Sequence, residues 1–124
     1  MSTASNNDLF GFLPGVGATA SQNSPDLANP YGRGVKVIVN VTAIGTGSVT
    51  VSIQAKDPGS GAYVTLLSSA AIIANGVVVL TVYPGLAVTL NVSANDILSK
   101  TWRVAVVANN ANPANYSVGA SVIV

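Results

Sequence analysis

The sequence predicts an all-β protein: an antiparallel β-sandwich, jelly-roll-like, of seven or eight strands with an extended N-terminal arm. Two observations predict it. The first is the alternation over residues 34–56, where Val35, Val37, Val39 and Val41 fall on one parity and Lys36, Ile38, Asn40 and Thr42 on the other. After Gly45-Thr46-Gly47 the pattern resumes, with Val49, Val51, Ile53 and Ala55 set against Thr50, Ser52, Gln54 and Lys56. A period of two marks strands with one buried face. The second observation is the frequency of turn signals built from Gly, Pro and Asn, which cut the rest of the chain into short segments. Because the connection at Gly45 to Gly47 is short, an antiparallel hairpin is the expected pairing of the first two strands.

Composition bounds the rest. A chain of 124 residues makes one domain plus an appendage, and divides here into an arm, residues 1–33, and a sandwich, residues 34–124. Only 7% of residues are charged while 49% are hydrophobic, and the net charge is +1. Such a surface has little charge repulsion to oppose self-association, so partner subunits are expected to cover much of it. Cysteine, histidine and glutamate are all absent. That removes the Ser-His-Asp and Cys-His arrangements, thiolate and imidazole metal ligands, and the ordinary neutral-pH general base, so no enzyme, cofactor or metal site is expected. Arg33, Lys36, Lys56, Lys100 and Arg103 are scattered among four aspartates, without the concentrated basic face that nucleic acid requires. No apolar run reaches the ~18 residues of a membrane helix, and no secretory signal peptide is expected at the N-terminus.

In the arm, rich in Ser, Asn, Ala, Gly and Pro, one apolar cluster stands out: Leu9, Phe10, Phe12 and Leu13, closed by Pro14-Gly15. It holds both phenylalanines of the chain and is the candidate partner-binding segment, expected to dock on a neighbouring subunit. In the sandwich, Asp57-Pro58-Gly59-Ser60-Gly61 is a turn, and the lone Asp57 lacks the spaced carboxylates of a calcium loop. Residues 63–67 read as a third strand and 70–74 as a short fourth, followed by Asn75-Gly76 as a two-residue hairpin turn. Residues 77–82 are apolar on both parities, apart from Thr81, which implies a cover on both faces from the arm or a partner subunit. Residues 86–99 fit a strand through Leu86, Val88, Leu90 and Val92 or a helical face through Leu86, Leu90, Ala94 and Ile97; the β-branched residues favour the strand. Residues 101–108 carry Trp102, expected as a core plug, and the last strand places Tyr116, Val118, Ala120, Val122 and Val124 on one face.

The short glycine pairs Gly15/Gly17, Gly32/Gly34 and Gly59/Gly61 lack the Lys-Ser/Thr of a phosphate loop and read as turns. The four aspartates, Asp8, Asp26, Asp57 and Asp96, are too widely spaced for a paired-carboxylate hydrolase. Five blocks carry a resemblance instead. Gln54-Ala55-Lys56-Asp57-Pro58, Leu66-Leu67-Ser68-Ser69-Ala70-Ala71-Ile72, Val82-Tyr83-Pro84-Gly85-Leu86, Lys100-Thr101-Trp102-Arg103-Val104 and Ser117-Val118-Gly119-Ala120-Ser121 follow in this order. Together they resemble small β-sandwich structural proteins of tailed bacteriophage virions, the decoration or cement proteins of the head. The resemblance spans residues 34–124 and omits the arm. It implies a non-enzymatic protein, assembled in the bacterial host cytoplasm into the virion. There it sits on the capsid surface, often as a homotrimer, and binds the major capsid protein to tie capsid subunits together. Two alternatives stay open: another virion component, such as a tail, collar or adaptor protein, and a glycan-binding or adhesive β-module.

Overall fold

A computed structural model gives the fold and describes residues 9–29 and 32–124, with side chains from residue 17 onward. Ten strands follow in chain order among the described residues: β1 (Leu9–Ala18), β2 (Gln22–Asn23), β3 (Leu27–Ala28), β4 (Gly34–Ala43), β5 (Val49–Lys56), β6 (Tyr63–Ser68), β7 (Gly76–Val82), β8 (Ser93–Ala94), β9 (Thr101–Ala108) and β10 (Ala114–Ile123). They form a two-sheet sandwich with no helix among the described residues. One sheet runs β1-β10-β4-β7-β8; the other runs β2-β9-β5-β6, with β3 also on β9. All pairings are antiparallel except the short β7–β8 contact.

The alternation does what its period requires. Val35, Val37, Val39 and Val41 of β4 are buried, and Lys36, Ile38, Asn40 and Thr42 are exposed. Across the gap they share one core with Val51 and Ile53 of β5 and with Trp102, Val104 and Val106 of β9. Trp102 is fully buried, as expected of a plug between the sheets. Each such side chain contributes about 1.5–3 kcal/mol by leaving water.

The expected hairpin between β4 and β5 does not form: the two strands lie in different sheets. Residues 44–48 instead arch across the sandwich, and five residues readily span the ~10 Å between packed sheets. Gly47 N donates to Ile44 O at 2.7 Å, and a Cβ on Gly47 would lie 2.9 Å from that same oxygen, so the arch closes only on glycine. Either topology buries the same valines, which is why alternation alone chose the wrong partner. Asn75-Gly76 is likewise a crossing and not a hairpin turn. Residues 70–74 form no strand, only a single bridge between Ile72 and Val49, and the chain then passes to β7 in the other sheet. Asn75 Oδ1 accepts from Ile44 N at 3.0 Å, tying the two crossings together. The turn at Asp57 does join a hairpin, β5–β6, with Gly59 N and Ser60 Oγ donating to its carboxylate at 2.9 and 2.7 Å.

Residues 9–29, expected as an arm ahead of the sandwich, supply three strands to it. β1 pairs with β10, and β2 and β3 pair with β9. The register of β1 shifts between Phe12 and Gly15 and again between Gly15 and Ala18, which hides any alternation from a sequence reading. Asn29, itself buried, secures the end of this segment: its Nδ2 donates to Gly32 O at 2.9 Å and to Leu98 O at 3.2 Å, and its Oδ1 accepts from Gly32 N at 2.8 Å.

The start of β4 offers a direct test of this packing. A Cβ on Gly34 would stand 2.1 Å from the backbone oxygen of Val82 on β7. Gly34→Ala must therefore push two paired strands apart, and is expected to lower stability by about 1–3 kcal/mol in denaturant unfolding with the far-ultraviolet spectrum unchanged. An unchanged unfolding midpoint would contradict the β4–β7 register.

Candidate interaction surface

Two surface features combine placement and chemistry. The first is the side of the sandwich formed by β7 and β8. The inward residues of β7, Leu80 and Val82, are buried in the core, but Val77 is 62% exposed on the opposite face. The cover expected for both faces of residues 77–82 is supplied only in part by the described chain: Val79 and Thr81 are half-buried, and Val77 is left exposed. β8 pairs only with Thr81 and Val82, so residues 76–80 have no strand on that flank among the described residues. β6, the outer strand of the facing sheet, lies against β7 and β8 and exposes Val64.

Next to this edge stands an apolar loop. Residues 86–99 are neither helix nor extended strand apart from β8. Thr89 and Ser93 close a tight turn: Val92 N and Ser93 N donate to Thr89 O at 3.0 Å, and Asn91 takes a left-handed φ of 62°. Buried Ser93 braces it from below, its Oγ donating to Ala87 O at 2.7 Å and accepting from Thr89 N at 3.0 Å. The turn thus holds Val88, Leu90 and Val92 outward, with Leu90 85% exposed at the tip. Ile97 is exposed further along the same segment. A braced turn that holds several aliphatic side chains in water makes this side the candidate interaction surface.

The second feature is polar. Asp26, between β2 and β3, accepts from Tyr63 OH at 2.6 Å and from Lys56 Nζ at 2.9 Å. The Arg103 guanidinium stacks on the Tyr63 ring, 3.4 Å from its centre, and its Nε donates to Gln54 at 2.8 Å. A cleft of about 650 Å³ opens beside this cluster, lined by Asp26, Lys56, Pro58, Ser99, Lys100 and Thr101. Both Asp26 oxygens are already engaged, so the group is a latch that fastens the segment to β5 and β6, not a free base. Among the described residues no three His, Cys, Asp or Glu side chains come together to hold a metal.

The sequence-derived candidates Leu9, Phe10, Phe12 and Leu13 lie on or beside the β1–β10 pairing. The backbone of Leu9 faces Ser121, Phe10 faces Ala120 and Phe12 faces Val118, while their side chains, like residues 1–8, lie outside the described part of the structure. The surface found here, at Val77, Val88, Leu90 and Val92, was foreshadowed only by the two-sided apolar run of residues 77–82. No protein-family model matches the chain, and no curated protein matches it.

The latch has a defined pH dependence. The Tyr63 hydrogen bond first, then the Lys56 hydrogen bond and the Lys56 and Arg103 charges, hold the Asp26 carboxyl below its ordinary value of 3.8. A depressed carboxyl stabilises the fold above its unfolded value, and that contribution disappears as pH falls through the folded one. Between about pH 6 and pH 2, amide resonances of Asp26, Leu27 and Ala28 are expected to titrate below the ordinary carboxylate range while those of the core stay fixed. Asp26→Asn should abolish that titration; its persistence would place the titrating group elsewhere.

Proposed function

We propose that this protein is a non-enzymatic structural subunit of a tailed-phage virion, of the head-decoration or cement kind, which attaches to the capsid shell and bridges its subunits. The observation that carries the reading is the braced, uncharged turn that exposes Val88, Leu90 and Val92 beside an open strand edge. Three further facts support it. The sandwich is of the expected class, and the blocks behind the resemblance fall on its strands and turns: Lys100 to Val104 enters β9 and Ser117 to Ser121 lies in β10. The chemistry suits adhesion: with 7% charged residues, attachment proceeds by apolar burial, which salt does not screen. The scaffold is also stiff, since both sheets converge on one core, and a rigid protein loses little entropy on docking.

Leu90→Asp tests the proposal, because a side chain so exposed can change without disturbing the fold. Particles prepared without the protein should take up the wild type, and the variant should show at least a tenfold weaker occupancy, about 1.4 kcal/mol or more of lost binding. Equal occupancy by the two proteins, or none by either, would reject capsid attachment through this loop.

A further inference from the structure

We propose that the free edge of β7 is a homotypic pairing site, in which residues 76–80 of two copies run antiparallel about a two-fold axis through Val78. Hydrogen-bond direction leaves this edge open to a partner strand. Thr81 N donates to Val92 O at 3.0 Å and Tyr83 N to Ala94 O at 3.1 Å, so odd-numbered residues here turn their backbone groups away from β4. By strand alternation, Val77 and Val79 do the same, toward a flank on which no described strand lies. In a two-fold antiparallel pairing centred on Val78, Val77 of one copy stands opposite Val79 of the other. Each such pair exchanges two N–H to O=C bonds, and the symmetry makes two pairs. Val78 then faces its own counterpart in a non-hydrogen-bonded position.

Sterics select the same arrangement. β8 fills the flank beside Thr81 and Val82, closing the slot at one end. At the other end the chain leaves the sheet before Gly76 and crosses toward the facing sheet. Antiparallel symmetry lays the β8 of the second copy just beyond Gly76, where this chain has vacated the sheet. A strand longer than the slot runs into β8, whereas a second copy of this chain brings its own vacancy to that block, so the slot is complementary to itself. Residues 76–82 also carry no charge and no proline, the usual protections of an exposed edge, and two identical copies therefore meet without repulsion.

The area is adequate. Val64, Val77, Val88, Leu90 and Val92 flank this side, and at roughly 80 Å² each they offer about 400 Å² of apolar surface. A stable interface buries about 800 Å² per partner, a little over half of it apolar. This contact gives a dimer, or an even-numbered assembly built on it, in place of the trimer that the family resemblance implies.

Sedimentation of the full chain tests the pairing without any virion. A dimer is expected at about 10–100 µM, and Val77→Lys should weaken it at least tenfold while leaving thermal unfolding of the monomer intact. Register is read separately. The chain has no cysteine, so Val78→Cys introduces a single thiol, and oxidation should link two copies, since non-hydrogen-bonded partners stand about 4.5 Å apart, within disulfide reach. Val79→Cys, opposite Val77 and not itself, should link poorly. A monomer at 100 µM, a trimer indifferent to Val77→Lys, or equal cross-linking by the two cysteine variants would each overturn the proposal. Dimerisation lost in Val77→Lys with particle occupancy retained separates this contact from capsid attachment.

Discussion

The structure depends on the apolar face of β4. Val35, Val37, Val39 and Val41 are buried in the middle of one sheet, with β10 on one side of the strand and β7 on the other. Four aliphatic side chains in a row on one face can leave water only if a second sheet covers them at the ~10 Å spacing of packed sheets. β5 and β9 supply that cover through Val51, Ile53, Trp102, Val104 and Val106. The crossings at residues 44–48 and 69–75 follow from it, because the chain must change sheets to place each apolar face against the other.

Edge management explains the N-terminal strands. On one flank, β1 covers β10, β2 and β3 cover β9, and residues 19–21 carry the chain from one sheet to the other. Ser24 reinforces the seam, with its hydroxyl accepting from Val104 N at 2.9 Å, and Asp26 fastens it through Lys56, the one ion pair among the described residues. A protein this poor in charge uses backbone pairing and short polar side chains where others use salt bridges. On the opposite flank that protection stops: β8 is two residues long, and the start of β7 has no strand beside it among the described residues. The asymmetry divides the molecule into a flank covered by short strands and a flank where strand cover ends at β8 among the described residues.

Alternation in β4, β5, β9 and β10 was legible in the sequence because side-chain direction is a local property of an extended backbone. The burial of Trp102, the Asp57 turn and the sandwich class followed from the same local rules. Three features were not legible. β2 and β3 are two residues each, too short for any periodicity, and β1 is broken by register shifts around Pro14 and Gly15. In residues 86–99 the apolar spacing matched both periods, and what decided the outcome was the Ser93 brace beneath the turn, together with the pairing of Ser93 and Ala94 to β7.

By itself the sequence determined which faces of β4, β5, β9 and β10 are buried and where the Asp57 turn falls, because both are local properties of the backbone. Only the tertiary structure decided which strands are neighbours. Val39 is equally well buried whether β5 lies beside β4 or across from it, so the hydrophobic term that fixes the face is silent on the partner. The partner is set by long-range backbone pairing and by close approaches such as Gly34 on Val82, which involve residues far apart in the chain. The same holds for the exposed apolar patch: Val77 and Leu90 are exposed because neighbouring strands end where they do, a property of the assembled sheets and not of any local stretch.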